Sequence, residues 1–229
     1  MAHHAFSSAD ALARSLANDV AATLARRLAA AGTAGLVVSG GRTPAAFLRE
    51  LAARELDWSN VVVTPADERR VPAEHPASNL RLVRAAFANA PASLATLVDI
   101  EATAADADAA ARWSEALVRI PRPFAAVILG MGDDGHFASL FPGMPGLAAA
   151  LDPSGPATVV EGIAPVEPRA RLSLTLSILL DTDFLALHVT GDSKLATLRH
   201  ASCPGSPLEM PVRALLEQRR VPLEIYHAP

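Results

Sequence analysis

Short apolar runs alternate along the chain with longer segments in which apolar residues recur every three or four positions. The short runs are rich in Val, Ile and Leu, which is typical of strands buried on both faces of a sheet, whereas the longer segments have the spacing of amphipathic helices. Predicted strands cover 35–38, 61–64, 96–100, 125–129, 157–160, 184–190 and 223–226, and a strand that continues into a helix begins at 172. Predicted helices cover 8–31, 44–51, 80–87, 104–118 and 208–219, and another begins near 191–194.

Strands and helices follow one another in this order along most of the chain. The alternation predicts an α/β fold, a three-layer Rossmann-like open sheet that is mainly parallel and has helices on both faces. No repeat, low-complexity segment or linker interrupts the sequence, so residues 1–229 are expected to form a single α/β domain. His3 and His4 are expected to belong to an ordinary mobile terminus.

The polar segment after the 125–129 run carries the strongest chemical signal. Residues 130–143 read Gly-Met-Gly-Asp-Asp-Gly-His-Phe-Ala-Ser-Leu-Phe-Pro-Gly. The glycines allow a tight turn, Asp134 supplies a carboxylate, and His136 is the residue type that titrates near neutral pH. Open α/β sheets bind ligands at the carboxyl ends of their strands, so this loop is the predicted catalytic centre.

A second strand end has the outline of an anion site. Ser39-Gly40-Gly41-Arg42-Thr43-Pro44 follows the run at 35–38, and Thr43 is placed to cap a helix that has Pro44 at its first position. Helix amides and the helix dipole would then face an anion held by the turn. Many glycine turns only connect a strand to a helix, so both interpretations stay open on this segment alone.

Charged residues occupy two further strand ends. Asp67-Glu68-Arg69-Arg70 follows the run at 61–64 and would ordinarily be a solvated loop. Lys194 follows the run at 184–190 and is the only lysine in a chain that otherwise uses arginine, which suggests a site for a compact ammonium group. His188 lies inside the same apolar run and is expected to be a core histidine with its hydrogen bonds satisfied, and not a ligand.

Composition excludes several classes of protein. The net charge of −4 and the pI of about 6.0 argue against a general nucleic-acid or anionic-membrane binder. No apolar run reaches the roughly 18 to 20 residues of a spanning helix, and no signal-peptide pattern is present, so a cytoplasmic location is expected. Cys203 is the only cysteine, which excludes an internal disulfide and a cysteine-based zinc site.

Familiar catalytic templates fit poorly. Residues 130–135 satisfy G-x-G-x-x-G, but Pro142 and Pro145 follow too closely for the long helix of a dinucleotide site. The sequence has no G-x-S-x-G elbow, no G-x-x-x-x-G-K-[ST] loop and no H-E-x-x-H helix. A metal held by Asp134, His136 and His75 would lack a recognised ligand spacing. The remaining parts suit acid or base chemistry on a phosphorylated small molecule.

Three blocks together resemble the 6-phosphogluconolactonase family, within the glucosamine/galactosamine-6-phosphate isomerase superfamily. They are 39–44, then 67–72 with His75 and Ser78-Asn79, and then 130–143, and Gly191-Asp192-Ser193-Lys194 adds to the match. The blocks occur in the family's order and span nearly the whole chain. The chain departs from the family pattern at Asp133, where proline is common, and at Phe137, where threonine is common.

The resemblance implies hydrolysis of 6-phospho-D-glucono-1,5-lactone to 6-phospho-D-gluconate in the oxidative pentose phosphate pathway, without an organic cofactor or a metal. It implies a catalytic role for His136 as general base, with Asp134 and Arg69, and substrate binding by Gly40, Gly41, Arg42, Thr43, Asp67, Arg171 and Lys194. The expected partner is a small sugar phosphate, with no nucleic acid and no membrane, and the expected state is a monomer or weak homodimer. A related sugar-phosphate isomerase or deaminase and a non-catalytic sugar-phosphate-binding protein stay open as alternatives.

Overall fold

The computed structural model describes residues 1–41, 43–98, 100, 103 and 105–229. The strands are β1 (Ala2–Ala5), β2 (Ala34–Val38), β3 (Val61–Pro65), β4 (Asp67–Arg69), β5 (Thr96–Leu97), β6 (Ala126–Gly130), β7 (Val159–Ile163), β8 (Ala170–Leu174), β9 (Leu185–Thr190) and β10 (Leu223–Ala228). The helices are α1 (Ala9–Ala31), α2 (Pro44–Ala52), α3 (Asn79–Phe87), α4 (Ala109–Leu117), α5 (Leu147–Ala150), α6 (Leu176–Leu179), α7 (Asp192–Ala201) and α8 (Val212–Glu217).

Seven strands form a parallel sheet in the order β1-β10-β9-β6-β2-β3-β5. The chain moves from β2 outward through β3 to β5, and then returns to place β6 on the other side of β2. The strand order therefore reverses between β2 and β6. In open α/β sheets, this reversal leaves a crevice at the carboxyl ends of the two strands.

Helices cover both faces of the sheet. One apolar cluster contains residues of α1, α2 and α3, and the other contains residues of α4 to α8. Adjacent residues of β2 point to opposite clusters, since Val37 belongs to one and Leu36 and Val38 to the other. This arrangement confirms the predicted three-layer, mainly parallel α/β fold. No helix in the described part of the chain is both long and apolar enough to cross a membrane.

Side-chain caps begin α1 and α3, whereas the cap predicted for α2 does not form. Ser8 accepts a hydrogen bond from the Ala11 amide at the start of α1, and Gly32 ends that helix with a φ of 74°. Ser78 likewise accepts from the Arg81 amide at the start of α3. The predicted cap at Thr43 is wrong: its backbone is already helical, and its side chain makes no capping hydrogen bond with α2.

A second, antiparallel sheet of three strands has the order β4-β8-β7. Strands β7 and β8 overlap the strands predicted at 157–160 and from 172, whereas β4 and the pairing of the three strands were not predicted. Strand β4 includes Asp67 and Glu68, in a charged segment that would ordinarily be a solvated loop. The structure excludes that alternative, because the two residues are only 7% and 2% exposed. Their carboxylates accept hydrogen bonds inside the protein, which offsets the loss of water.

The amino terminus also differs from the prediction. His3 and His4 lie in β1, which pairs in parallel with β10 at the edge of the large sheet. The His4 ring stacks on Tyr226 with ring centroids 4.6 Å apart, and His4 Nε2 lies 2.6 Å from a carboxylate oxygen of Glu224. These contacts hold the terminus against the sheet.

Candidate active site

A cleft of about 290 Å³ opens at the carboxyl ends of β2, β6 and β9, where the strand order reverses. Its walls come from the turn after β2, the loop after β6, the first turn of α7 and the small antiparallel sheet. The lining residues are Ser39, Gly40, Gly41, Thr43, Pro44, Asp67, Arg69, Gly130, Met131, Gly132, His136, Ala138, Ser139, Phe141, Ala164, Pro165, Val166, Arg171 and Lys194.

Eight of the residues predicted for the site line this cleft. They are Gly40, Gly41, Thr43, Asp67, Arg69, His136, Arg171 and Lys194. Asp134 lies outside the lining but contacts His136 directly. Arg42, also predicted to bind substrate, lies outside the described residues.

In the loop after β6, the imidazole of His136 packs directly against the backbone of Gly132. The Gly132 amide donates to the His136 carbonyl at 2.9 Å, and the Gly135 amide donates to the Gly132 carbonyl at 3.1 Å. A Cβ at Gly132 would lie 2.2 Å from ring atoms Cε1 and Nδ1 of His136. Gly135 has a φ of +77°, which favours glycine. The glycines therefore set the position of the histidine.

Asp134 and Phe141 fix the orientation of that imidazole. The Nδ1 atom of His136 lies 2.5 Å from Oδ1 of Asp134, which also accepts the His136 amide at 3.1 Å. The Phe141 ring packs against the imidazole, with ring centroids 4.3 Å apart. Partial burial raises the pKa of Asp134, but the hydrogen bond and charge of His136 outweigh it, so the net pKa lies below the usual value. An ionised Asp134 favours the proton on Nδ1 and leaves the Nε2 lone pair for a ligand.

Two arginines give the cleft a local positive charge. Arg69 donates from Nη1 to the Ala77 carbonyl at 2.6 Å, and Arg171 donates to the Pro168 carbonyl. Burial lowers the pKa of Arg171, and the positive charge of Arg69 lowers it further. Because both guanidinium groups are positively charged, both would attract an anion bound in the cleft.

Asp67 is held at the cleft by a serine that the sequence did not single out. Ser139 donates from Oγ to Oδ2 of Asp67 at 2.6 Å, and the Ser139 amide donates to Oγ of Ser173 at 3.1 Å. The loop after β6 is thereby joined to the small sheet. Ser139 belongs to the 130–143 motif, but its role depends on a contact with a residue far away in sequence, so the motif alone did not reveal it.

The glycine turn after β2 lies close to α3. A Cβ at Gly40 would lie 1.8 Å from Oδ1 of Asn79, whose Nδ2 donates to the Asp67 carbonyl at 2.7 Å. Gly41 has a φ of +99°. Ser39, another residue that the sequence reasoning missed, accepts the Gly130 amide at 3.0 Å and so joins the ends of β2 and β6. This bond fixes the two strands on either side of the crevice to each other.

The described part of the chain contains no group of three or more His, Cys, Asp or Glu side chains that could hold a metal ion. His75 is exposed, and its Nδ1 accepts the Ala77 amide at 3.1 Å. His75, Asp134 and His136 therefore do not form a ligand set.

Known proteins resemble this chain over its full length. The family described as glucosamine-6-phosphate isomerases/6-phosphogluconolactonase matches residues 7–223. A 6-phosphogluconolactonase of Rhizobium meliloti (strain 1021) is 46% identical, over 99% of this chain and 98% of the relative. One of Pseudomonas putida is 45% identical, over 99% and 92% respectively. The crystal structure of a 6-phosphogluconolactonase from Shewanella baltica OS155 is 36% identical and superposes with a TM-score of 0.93, covering 100% of this chain and 98% of that one.

The family match spans more than half of the chain, and both relatives exceed 30% identity over almost all of it. The chain belongs to the glucosamine-6-phosphate isomerase/6-phosphogluconolactonase family.

Proposed function

We propose that this chain hydrolyses 6-phospho-D-glucono-1,5-lactone to 6-phospho-D-gluconate, with His136 as the general base. The observation that carries the proposal is the contact of Asp134 with His136, which lines the same cleft as Lys194. The relatives at 46% and 45% identity, both 6-phosphogluconolactonases, support the choice of reaction within the family.

His136 activates water in the proposed mechanism. Its Nε2 takes a proton from a water molecule while the water oxygen attacks the lactone carbonyl carbon. Asp134 holds the proton on Nδ1 and stabilises the imidazolium that forms. A negative charge develops on the carbonyl oxygen, and Arg69 or loop amides stabilise it. The carbon–ring-oxygen bond then breaks, and the imidazolium returns the proton to the ring oxygen, which leaves a hydroxyl group and a carboxylic acid.

The other predicted residues bind the substrate in this proposal. Lys194 and the turn formed by Gly40, Gly41, Arg42 and Thr43 hold the phosphate, since glycine amides and an ammonium group suit an oxyanion. Arg171 and Asp67 complete the wall of the cleft at the small sheet. Arg171 supplies a second positive charge beside Arg69.

The test is a stopped assay with freshly generated phosphogluconolactone, corrected for spontaneous hydrolysis. Lactone hydrolysis is expected, with no ammonia release or ketose formation from hexosamine 6-phosphates. The variant His136→Ala should lower kcat at least tenfold, since a general base contributes about 10²- to 10⁴-fold. Lys194→Ala should mainly raise KM, because it removes binding that is equal in the ground and transition states.

The exposed His200 provides a matched control, and His200→Gln should leave both constants unchanged. Ammonia release or ketose formation would favour an isomerase or deaminase. Binding of 6-phosphogluconate without turnover would favour a non-catalytic sugar-phosphate-binding protein. Normal turnover by His136→Ala would exclude the base role, and an unchanged KM in Lys194→Ala would exclude its phosphate role.

A further inference from the structure

Asp133 connects the loop that carries His136 to the helix that carries Lys194. Its Oδ1 accepts a hydrogen bond from the Ser193 hydroxyl at 3.0 Å, and its main-chain carbonyl accepts one from the Thr197 hydroxyl at 3.0 Å. Ser193 and Thr197 are four residues apart in α7 and therefore lie on one face of the helix. Asp133 thus contacts α7 through its side chain and its main chain together.

This connection spans the two ends of the candidate site. Asp133 adjoins Asp134, which orients His136, and Ser193 adjoins Lys194. His136 and Lys194 both line the cleft. A substrate held at its phosphate by one element and attacked at its carbonyl by a base on another requires a fixed distance between the two elements.

We infer that Asp133 is a positioning residue that keeps His136 at a fixed distance from the phosphate-binding end of the cleft, an inference that rests on the proposed function. The carboxylate suits this task because Ser193 lies in the first turn of α7, where the helix dipole attracts negative charge. Loss of the carboxylate would remove the bond to Ser193 and keep the main-chain bond to Thr197. The base loop could then shift relative to a substrate still held at its phosphate.

The inference predicts a loss in kcat rather than in substrate binding. Asp133→Ala should lower kcat about threefold to tenfold, the effect of one hydrogen bond, and change KM less than about twofold. Asp133→Asn keeps an acceptor oxygen for Ser193 and should restore kcat to within about twofold of wild type. Ser193→Ala should match Asp133→Ala, and the double variant should be no slower than the slower single variant.

A matched control is available at the amino ends of the strands, away from the cleft. Asp57 accepts hydrogen bonds from the side chains of Ser59 and Asn60, both at 2.7 Å, at the amino end of β3. Asp57→Ala should therefore leave kcat and KM unchanged, and thermal unfolding of each variant reports any general loss of stability.

The measurement is steady-state hydrolysis of phosphogluconolactone by the full chain. If wild type is active and Asp133→Ala keeps kcat within twofold, or if the losses in the double variant multiply, only this inference is overturned. A raised KM with normal kcat would also overturn it, since Asp133 would then act on binding. If wild type does not hydrolyse the lactone, both this inference and the proposed function are wrong.

Discussion

At the scale of single residues, Gly132 determines where the imidazole of His136 can lie. A Cβ there would be 2.2 Å from the ring and 2.8 Å from Oδ1 of Asp134. Gly132→Ala is therefore expected to push the imidazole out of its position. A displacement of about 1 Å can cost on the order of 10²-fold in rate, so we expect kcat for lactone hydrolysis to fall by about that factor.

Gly32→Ala is the control for this substitution. Gly32 has a φ of +74° and no atom within 4 Å of an added Cβ, so alanine should cost about 1 kcal/mol of stability but leave kcat unchanged. Steady-state kinetics and urea unfolding of both variants make the comparison. If Gly132→Ala retains more than a tenth of wild-type kcat, the glycine is not required for the position of His136.

The placement of most predicted site residues could be derived from the sequence, because each follows a predicted strand end or belongs to a recognisable block. The carboxyl ends of parallel strands meet at one edge, so His136, Lys194 and the turn at Gly40 were expected together. Their chemical roles remain proposals. Ser139 could not be assigned, since its partner Asp67 is 72 positions away. Thr43 was misassigned because its residue type favours a cap that its helical backbone does not form.

At the scale of elements, Glu68 links β4 to the start of α3. Its carboxylate accepts hydrogen bonds from the amides of Arg69, Asn79 and Leu80 at 2.6, 2.8 and 2.8 Å, and from the Ser78 hydroxyl at 3.1 Å. Burial raises the pKa of Glu68 more than the amide hydrogen bonds lower it. A carboxylate that accepts four donors satisfies helix amides that would otherwise be buried without a partner.

Glu68→Gln should lower the free energy of unfolding by about 2 to 3 kcal/mol, because the amide NH₂ group would face N–H donors and leave at least one unsatisfied. Urea unfolding at pH 7 measures the change. Glu50→Gln is the matched control: Glu50 pairs with Arg54, their side chains are 40% and 34% exposed, and loss of such a surface pair should cost at most about 1 kcal/mol. Equal losses in the two variants would mean that Glu68 contributes no more than a surface ion pair.

The two strands that the sequence did not predict, β4 and β1, were missed for the same physical reason. β4 has only three residues, and β1 has only four, of which two are histidine. Segments this short carry no apolar periodicity, and their pairing is fixed by contacts with β8 and β10, which are distant in sequence. A run of charges predicts a solvated loop only when no buried partner exists, and Glu68 has several.

At the scale of the whole molecule, the alternation of strand and helix predicted the layers but not the order of the strands. Connections between successive parallel strands are right-handed. That rule still allows β6 to pair with β5 at one free edge or with β2 at the other, without any change in the sequence pattern. The observed order places the 130–143 loop beside the turn at Gly40. The cleft is therefore a consequence of topology, and local motifs supply the residues that line it.

The same sheet buries His188, as the sequence predicted. His188 pairs in register with Gly130 on one side and Tyr226 on the other, and its ring meets Phe47 edge-on with centroids 6.2 Å apart. The side chain is only 3% exposed. Its Nδ1 has no hydrogen-bond partner among the described residues, so the expectation that its hydrogen bonds are satisfied is wrong at this atom. Burial, followed by the positive charge of Lys194, lowers the pKa of His188 to about 4.

This shift predicts how the stability of the molecule depends on pH. An unfolded chain, in which the histidine pKa is about 6.5, binds a proton more readily than the folded protein, so stability should fall as the pH drops from about 6.5 to about 4. The contribution of His188 is full above this window, and its loss below it corresponds to about 3 kcal/mol. Other titratable groups also change the stability with pH, but they are the same in wild type and in a variant that lacks His188. The difference between the two proteins therefore isolates the contribution of the histidine.

His188→Leu removes the titrating group and an Nδ1 atom without a hydrogen-bond partner, so it should reduce the loss of stability between pH 7 and pH 4 by about 3 kcal/mol. The exposed His200 has no comparable burial, and His200→Gln should follow the wild-type pH dependence. Urea unfolding of the three proteins at intervals from pH 4 to pH 7 makes the comparison. If the His188→Leu curve runs parallel to wild type, the imidazole takes up a proton in the folded sheet as easily as in the unfolded chain, and burial between β6 and β10 does not keep it neutral.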